Sequence, residues 1–342
     1  MNRRPVALAA LAVLSLGLVG CSTSNGSNTP APETTPDPVA EETTTEPTDE
    51  TAAPADLIPI TIGALPISET APLWAAVAEG VFEEHGYAVT VQPIQGGAQA
   101  MPALLNVDVD FMVGQPFGAF RASLQGLDVN IIANYAESYA TGDDINAVVS
   151  APGSDISKPA DLAGKRVAVN SLGAAGDLTI MAAVANDGGD PSTIEFIEVA
   201  FPDAQAQLEA GNIDAAWVPE PFVSMIVGAG GTNVVYPYQA TIPGLPTLVV
   251  QATGTKVAQE PPVVSDFRTA LTAVFAWAAD NDDAVRQSLV DEMGLPEPAA
   301  AGLPLPNFTT TIDREVLQGL SDLAIEHGFF DEAPDLDALI AQ

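Results

Sequence analysis

The order of strands and helices in this chain is set by residues 60–114, which read ITIGALPISETAPLWAAVAEGVFEEHGYAVTVQPIQGGAQAMPALLNVDVDFMVG. Three short apolar runs predict buried strands, and two longer stretches between them predict helices. The strands are 60–65, 88–93 and 110–114, and the helices are 72–80 and 98–106. Thr70 is the predicted N-cap of the first helix, with Pro72 in its first turn. This β-α-β-α-β order is typical of a parallel sheet with helices on both faces.

The same order recurs further along the chain. Predicted strands at 165–170, 194–199 and 214–218 alternate with predicted helices at 176–186 and 203–211. Ala98-Gln99-Ala100 precedes Gln115-Pro116-Phe117, and Ala204-Gln205-Ala206 precedes Glu220-Pro221-Phe222. The spacings differ by one or two residues, so the halves are pseudo-symmetric and not a strict repeat. We therefore expect two similar α/β lobes.

The later part of the chain predicts how the lobes connect. Residues 246–251 read as a strand, and four predicted helices follow it, at 264–281, 283–292, 313–327 and 336–340. These helices are expected to return to the first lobe. The predicted fold is α/β, with two lobes joined by a two-crossover hinge and a ligand cleft between them. Lobe 1 is assigned to 57–147 plus 250–342, and lobe 2 to 148–249.

The N-terminal segment predicts export. Residues 1–20 combine a basic start with a short apolar run, which is typical of a signal peptide. Cys21 is the only cysteine of the chain, and its setting resembles the lipobox of bacterial lipoproteins, where the thiol is acylated. Residues 21–56 are rich in Thr, Pro and Glu and predict a disordered, lipid-anchored linker. The expected location is extracytoplasmic, tethered to the cell membrane.

The negative charge of the chain limits the kinds of partner that it can bind. Forty-five acidic residues stand against 10 basic ones, and residues 57–342 retain 37 acids and eight bases, a net charge of −29. Nucleic acid and anionic lipid head groups are poor partners for such a surface. We interpret the charge as solubilising. A monomer is expected.

Ordered motifs across residues 58–342 resemble a known family. They include Ala71-Pro72-Leu73-Trp74, Gly96-Gly97-Ala98-Gln99-Ala100, Pro159-Ala160-Asp161-Leu162-Ala163-Gly164-Lys165, Leu208-Glu209-Ala210-Gly211 and Pro219-Glu220-Pro221-Phe222. The set is similar to the ABC-transporter solute-binding proteins that handle nitrate, sulfonates, taurine and thiamine-pyrimidine precursors. The resemblance implies the type II periplasmic-binding-protein fold, a small-molecule ligand, and delivery to a membrane permease with its cytoplasmic ATPase.

Ligand-binding residues are expected where strand C-termini meet helix N-termini. The candidates are Ser68, Glu69, Trp74, Gly96, Gly97, Gln115, Tyr135, Asn170, Ser171, Gly173, Trp217 and Glu220. Simpler structural roles remain open for some of them. Trp74 has the spacing of a core residue, Gly96-Gly97 suits a tight turn, and Ser171 suits an N-cap.

The loops that carry these candidate residues contain carboxylates, with aromatic residues in or near them, but no Arg or Lys. Aromatic faces beside a carboxylate suit a flat, amine-bearing heterocycle or a cation. An aminopyrimidine-like or other nitrogen compound is therefore the first expectation, with alkanesulfonate, taurine or nitrate next. A ligand-sensing or surface-interaction lipoprotein without a transport role is the alternative.

The sequence gives no support for catalysis. Residues 22–342 contain no cysteine, and the two histidines, His85 and His327, do not have the spacing of metal ligands. We therefore predict a binding protein that is not an enzyme and that uses no cofactor or metal.

Overall fold

The computed structural model describes residues 57–94 and 96–342. The predicted signal peptide, the lipidation site Cys21 and the linker lie outside the described residues. Within the described part of the chain, no helix combines the length and apolarity needed to cross a membrane.

Two separate sheets form the framework. The strands, in chain order, are β1 (Ile58–Ala64), β2 (Tyr87–Pro93), β3 (Phe111–Gly114), β4 (Asn130–Glu137), β5 (Asn146–Ser150), β6 (Arg166–Val169), β7 (Glu195–Glu198), β8 (Ala215–Pro219), β9 (Thr232–Val235), β10 (Pro246–Ala252) and β11 (Asn307–Phe308). The first sheet has the order β11-β4-β10-β3-β1-β2, and the second has the order β7-β6-β8-β5-β9. The prediction of an α/β fold with two lobes is confirmed.

Helices cover both sheets. They are α1 (Ala71–Ala78), α2 (Val81–Glu84), α3 (Gly97–Leu105), α4 (Pro116–Leu124), α5 (Ala175–Asn186), α6 (Ala204–Glu209), α7 (Phe222–Gly228), α8 (Pro237–Thr241), α9 (Gly254–Gln259), α10 (Pro261–Asp280), α11 (Asp282–Met293), α12 (Glu297–Gly302), α13 (Arg314–Glu326) and α14 (Leu336–Leu339). The late helices α10 and α11 pack on α1 of the first lobe, as the sequence predicts.

The two sheets share one topology. In each, three parallel strands are followed by an antiparallel strand, which is β10 in the first sheet and β5 in the second. The antiparallel strand is supplied after the chain has crossed between the sheets, so the chain crosses twice. The lobe boundaries drawn from the sequence, at 147/148 and 249/250, fall inside β5 and β10.

The pseudo-symmetry extends to single hydrogen bonds. Asp110 precedes β3, and its carboxylate accepts from the Thr61 N–H at 2.8 Å. Asp214 precedes β8, and its carboxylate accepts from the Arg166 N–H at the same distance. Each aspartate also ion-pairs with a base, Lys256 for Asp110 and Arg166 for Asp214. Both therefore lock a turn to the neighbouring strand.

The core of the first lobe is built around Phe267 of α10. Its ring stacks on Phe111 of β3 at 4.2 Å between centroids and meets Tyr87 edge-on at 6.0 Å. Phe82 of α2 lies on another side, at 6.2 Å. All four side chains are almost fully buried. A helix from the end of the chain is thus fixed to strands from its beginning.

Candidate functional site

A cavity of about 320 Å³ lies between the two sheets. Leu65 after β1 and Gln115 after β3 line it from the first lobe. Ser171 after β6 and Pro219 at the end of β8 line it from the second. The carboxyl ends of four parallel strands therefore meet at the cavity, which is where ligands bind in open α/β sheets.

Most of the cavity wall is carbon. Met101, Met112 and Phe117 contribute from the first lobe, and Phe201 and Trp217 contribute from the second. Phe201 and Trp217 pack with their ring centroids 5.7 Å apart. A wall of this composition favours a solute with an apolar body, because contact with it removes apolar surface of both partners from water.

Two buried polar atoms of the wall have no hydrogen-bond partner among the described residues. They are the indole N–H of Trp217 and the amide oxygen Oε1 of Gln251. The other end of the Gln251 amide donates to the Gln115 carbonyl at 3.3 Å. Buried polar groups are normally paired, so this donor and this acceptor are the groups of the wall that still lack a partner.

Arg121 also lines the cavity, although it lies in none of the candidate loops. It lies on α4, and its guanidinium donates to the Gly173 carbonyl of the second lobe. Its carbon Cζ lies 5.8 Å from the centre of the Phe117 ring. A base therefore lines the cavity although the candidate loops contain none. The helix after the Gln115-Pro116 loop supplies it.

Arg121 differs from most of the other bases of the described region. Six of them pair with carboxylates, namely Lys158, Lys165, Arg166, Lys256, Arg286 and Arg314. No described carboxylate lies within salt-bridge distance of Arg121. Asp331 and Glu332 line a neighbouring cavity together with Arg121 but form no ion pair with it. In a region of net charge −29, an arginine without a salt bridge at a cavity wall is suited to an anionic group of a ligand.

Gly173 is adapted to this contact. Its φ of +65° lies in the left-handed region, which glycine adopts without steric cost. A Cβ there would lie 2.8 Å from Nη2 of Arg121. The Asp177 carboxylate holds the same loop by accepting from the Gly173 and Ala174 N–H groups, at 2.5 and 2.7 Å.

Two further contacts join the lobes beside the cavity. The Gln115 amide donates to the Tyr238 hydroxyl at 3.1 Å. The Ser68 hydroxyl and N–H both donate to the Glu220 carbonyl, at 3.1 and 3.2 Å. With the Arg121–Gly173 bond, these contacts hold the lobes together around the cavity, so the described conformation is a closed one.

Five of the twelve predicted ligand-binding residues line this cavity: Gln115, Asn170, Ser171, Gly173 and Trp217. Gly96 lies next to it, since a Cβ at Gly96 would be 3.7 Å from Nδ2 of Asn170 in the other lobe. Gly97 begins α3. Trp74 is half-buried on α1, where its indole N–H donates to the Thr70 hydroxyl at 3.4 Å.

The remaining predicted residues are buried beside the hinge. Glu220 turns its carboxylate to α7 and accepts from the Ser224 N–H and hydroxyl, at 3.0 and 2.8 Å. Burial raises the pKa of this carboxyl. Ser68, Glu69 and Tyr135 are at most 2% exposed. Burial raises the pKa of Glu69 to about 7, with the Asp144 charge adding to the rise and the Thr247 and Asn146 side chains opposing it.

The described residues contain no group of three or more His, Cys, Asp or Glu side chains that could hold a metal ion. What the geometry offers is recognition. A cavity between two lobes in contact has an apolar wall, a basic residue and an unpaired donor and acceptor.

Two α/β lobes closing around such a cavity define a periplasmic-binding-protein fold. The sequence profile described as NMT1/THI5 like matches residues 67–285. The chain therefore belongs to the NMT1/THI5-like family.

Individual proteins resemble the chain over most of its length. It is 27% identical over 257 residues to the taurine-binding periplasmic protein of Escherichia coli (strain K12), covering 72% of this chain and 77% of that protein. The alkanesulfonate-binding protein SsuA from Xanthomonas axonopodis pv. citri, solved bound to MOPS, superposes with a TM-score of 0.72 at 18% identity, covering 84% of this chain and 99% of that one. The desulfurization enzyme DSZB superposes with a TM-score of 0.60 at 15% identity, covering 83% and 96%. The two structures establish a shared fold.

Proposed function

We propose that this protein is the extracytoplasmic solute-binding component of an ABC importer. It captures a small organic solute between its lobes and delivers it to a membrane permease. The observation that carries this proposal is the closed cavity, which both lobes line and which interlobe hydrogen bonds flank. Such a site binds by hinge closure, because a solute touching both lobes favours the closed form.

The relatives support a binding role. The taurine-binding relative covers most of the described region, and an alkanesulfonate-binding protein shares the fold over nearly its whole length. The fold also occurs in an enzyme. For this chain we propose binding without conversion, since residues 22–342 contain no cysteine and neither histidine lines the cavity.

We propose that the solute is a small organic anion with an apolar body, such as a short aliphatic sulfonate. Arg121 provides the positive charge, and hydrogen bonds from a guanidinium to an anion are among the stronger ones in proteins. The carbon wall formed by Met101, Met112 and Phe201 suits the body. This ordering reverses the sequence-based preference, which rested on loops without a base.

A flat nitrogen heterocycle such as an aminopyrimidine is the second candidate. Two observations favour it: the unpaired Trp217 N–H and Gln251 Oε1 offer one donor and one acceptor, and Phe201 and Trp217 offer aromatic faces. A ring carrying both an acceptor nitrogen and an amino group would pair with each atom. This candidate does not use the charge of Arg121.

We also propose that the protein is exported and anchored to the membrane by a lipid. Residues 1–20 direct export, Cys21 carries the lipid, and the linker up to residue 56 holds a monomeric binding body away from the membrane. The lobe boundaries assigned from the sequence are moved to the two crossovers, so that lobe 1 comprises 57–145 plus 246–342 and lobe 2 comprises 146–245, with β5 and β10 left whole. The alternative is a sensor with no permease. Uptake of the bound solute by cells with and without this protein separates the two, since a sensor leaves uptake unchanged.

A thermal-shift panel on the purified protein tests the function. It contains a short alkanesulfonate, taurine, nitrate, an aminopyrimidine and a small cationic amine. A solute present at about 100 times its dissociation constant adds about 2.7 kcal/mol to the free energy of unfolding, which raises Tm measurably. A shift with the sulfonate and none with the amine supports an anion site, whereas a shift with the aminopyrimidine alone supports the second candidate. No shift with any member contradicts the assigned solute classes.

A further inference from the structure

Glu69 lies where the two lobes and the hinge meet. It belongs to the short 3-10 helix Ser68–Thr70 that follows β1 of the first lobe. Its carboxyl group faces the side chains of Thr247, which is in the crossover strand β10, and Asn146, which begins β5 of the second lobe. The neighbouring Ser68 bonds to the Glu220 carbonyl across the lobes. A movement of the lobes therefore changes the surroundings of Glu69.

The charged and titratable groups facing Glu69 are acidic. Asp144, just before β5, raises its pKa electrostatically, and the charge of Glu69 in turn raises the pKa of Tyr135 of β4 and of Tyr238 of α8. Asp144 is 1% exposed, and one of its oxygens accepts from the Tyr139 and Ile145 N–H groups, at 3.0 and 2.9 Å. In the described region neither Glu69 nor Asp144 lies within salt-bridge distance of a base.

Several polar atoms of this cluster lack hydrogen-bond partners among the described residues. They are Oδ2 of Asp144 and the Tyr135 hydroxyl, together with Oε1 of Glu69, the Thr247 hydroxyl and Nδ2 of Asn146. The last three lie close enough together to affect the pKa of Glu69 but form no hydrogen bond of ordinary geometry. An ionised Glu69 in this cluster would be a buried charge beside a second carboxylate, which is costly without a cation. A protonated Glu69 removes that charge and gains an O–H donor that nearby acceptors can use.

We propose that Glu69 is a proton-operated latch at the hinge: its carboxyl group takes up a proton when the lobes close and releases it when they open. Opening admits water to the carboxyl and stabilises its charged form, whereas closing removes that water. Lobe closure is then linked to pH, independently of which solute the cavity binds. This inference goes beyond the proposed function and does not require the solute to be known.

The size of the linkage follows from the pKa values of the two states. In the closed form the pKa of Glu69 is about 7, because burial disfavours the charged carboxylate, and a carboxyl in water has a pKa of 4.5. The advantage that the proton gives to the closed form is fully present below pH 4.5 and is lost as the pH rises through 7. The open-to-closed ratio is expected to rise about tenfold from about pH 6 to about pH 8.

Electron–electron double resonance on the solute-free protein measures this ratio. Spin labels are placed at Glu84→Cys on α2 and Ala206→Cys on α6, two exposed positions in different lobes, with Cys21→Ala removing the one native cysteine. The expected result is an interlobe distance distribution that gains an open component from pH 6 to pH 8. Glu69→Gln, which carries no titratable proton, is expected to give one distribution at both values.

Two further variants keep the test specific. Glu79→Gln, at an exposed carboxyl that ends α1, is the matched control and should retain the wild-type response. Asp144→Asn removes a charge that raises the pKa of Glu69, so it should move the transition to lower pH, and it remains informative if Glu69→Gln fails to fold. The same distribution at both pH values in the wild type, or a wild-type response in folded Glu69→Gln, would overturn the proposal.

Discussion

The guanidinium of Arg121, on the first lobe, donates a hydrogen bond to the backbone carbonyl of Gly173, on the second. One side chain thus both lines the cavity and joins the lobes around it. An anionic group that binds Arg121 would sit directly beside this interlobe contact. Solute binding and closure would then be coupled through a single residue.

The first prediction concerns Gly176, whose lack of a side chain leaves room for the Trp217 indole. A Cβ at Gly176 would lie 2.9 Å from the indole carbon Cε3, closer than side chains tolerate. Gly176→Ala should push the indole towards the cavity and weaken solute binding by about tenfold, which corresponds to about 1.4 kcal/mol. Calorimetric titration measures the affinity, and tryptophan emission in a background with Trp74→Phe and Trp277→Phe reports the displacement of Trp217.

Gly228→Ala is the matched control for this prediction. Gly228 ends α7 of the same lobe, and a Cβ there would meet nothing within 4 Å. Its affinity should equal that of the wild type. Equal affinities for Gly176→Ala and Gly228→Ala would mean that Trp217 does not shape the binding site.

The second prediction concerns stability and pH at Glu69. Burial raises its pKa from 4.5 to about 7 in the folded protein. The folded state therefore binds a proton that the unfolded state has released. The contribution of Glu69 to the unfolding free energy is fully present below pH 4.5 and is lost as the pH rises through 7, a loss of about 3 kcal/mol.

Denaturant unfolding at a series of pH values checks this, with the wild type and Glu69→Gln compared at each. The wild type should lose stability relative to the variant between about pH 4.5 and pH 7 and should lose no more above that range. A constant difference across the range would show that Glu69 keeps an ordinary pKa in the folded state.

The third prediction concerns the core of the first lobe. Phe267 is 1% exposed and contacts Phe82, Tyr87 and Phe111. Phe267→Ala should lower the unfolding free energy by about 3–5 kcal/mol, because it leaves a cavity where α10 is fixed to the sheet. Met225→Ala, at a side chain that is 51% exposed, should change it by less than about 0.5 kcal/mol. Equal effects of the two would contradict this packing.

The fourth prediction uses the Asp214–Arg166 pair. Asp214 accepts from the Arg166 side chain at 2.7 and 3.1 Å and from its N–H at 2.8 Å. The Arg166 side chain lowers the pKa of this carboxyl, so its stabilising effect is present at neutral pH and is lost on acidification. Asp214→Asn should cost about 1 kcal/mol at neutral pH, a value that allows for partial solvent screening.

Asp155→Asn provides the comparison in chemical denaturation. Asp155 also pairs with a base, Lys165, but its side chain is 92% exposed and the two are 3.8 Å apart. Its loss should be close to zero. If both variants lost the same stability, the backbone hydrogen bond of Asp214 would have no measurable effect.

Much of the fold could be predicted because its elements carry strong local patterns. The strand at 246–251 and the helix at 176–186 agree with β10 and α5 to within one residue. Thr70 does precede α1, but its hydroxyl donates back to the Leu65 and Ile67 carbonyls and does not cap the helix. Local pattern identifies such a position, whereas the partner of a side chain is decided by tertiary contacts.

The candidate site was only partly predictable. Strand ends were the right place to look, and they supplied Gln115, Asn170, Ser171, Gly173 and Trp217. Arg121 could not be found from strand ends alone, because it lies on α4, five residues after Pro116. The available signal for this helix was Pro116 at its first position. Even with the helix predicted, Arg121 would lie more than one turn beyond the strand end.

Calorimetric titration of a short alkanesulfonate into the wild type and into Arg121→Met is the most direct test of the account. Saturable binding at one site is expected in the wild type. A loss of at least about tenfold is expected in Arg121→Met, because a hydrogen bond to a charged group contributes about 1.5–3 kcal/mol. Arg314→Met, at an exposed arginine that pairs with Asp337, should bind as the wild type does. No binding to the wild type, or equal binding to wild type and Arg121→Met, would contradict an anion site at Arg121.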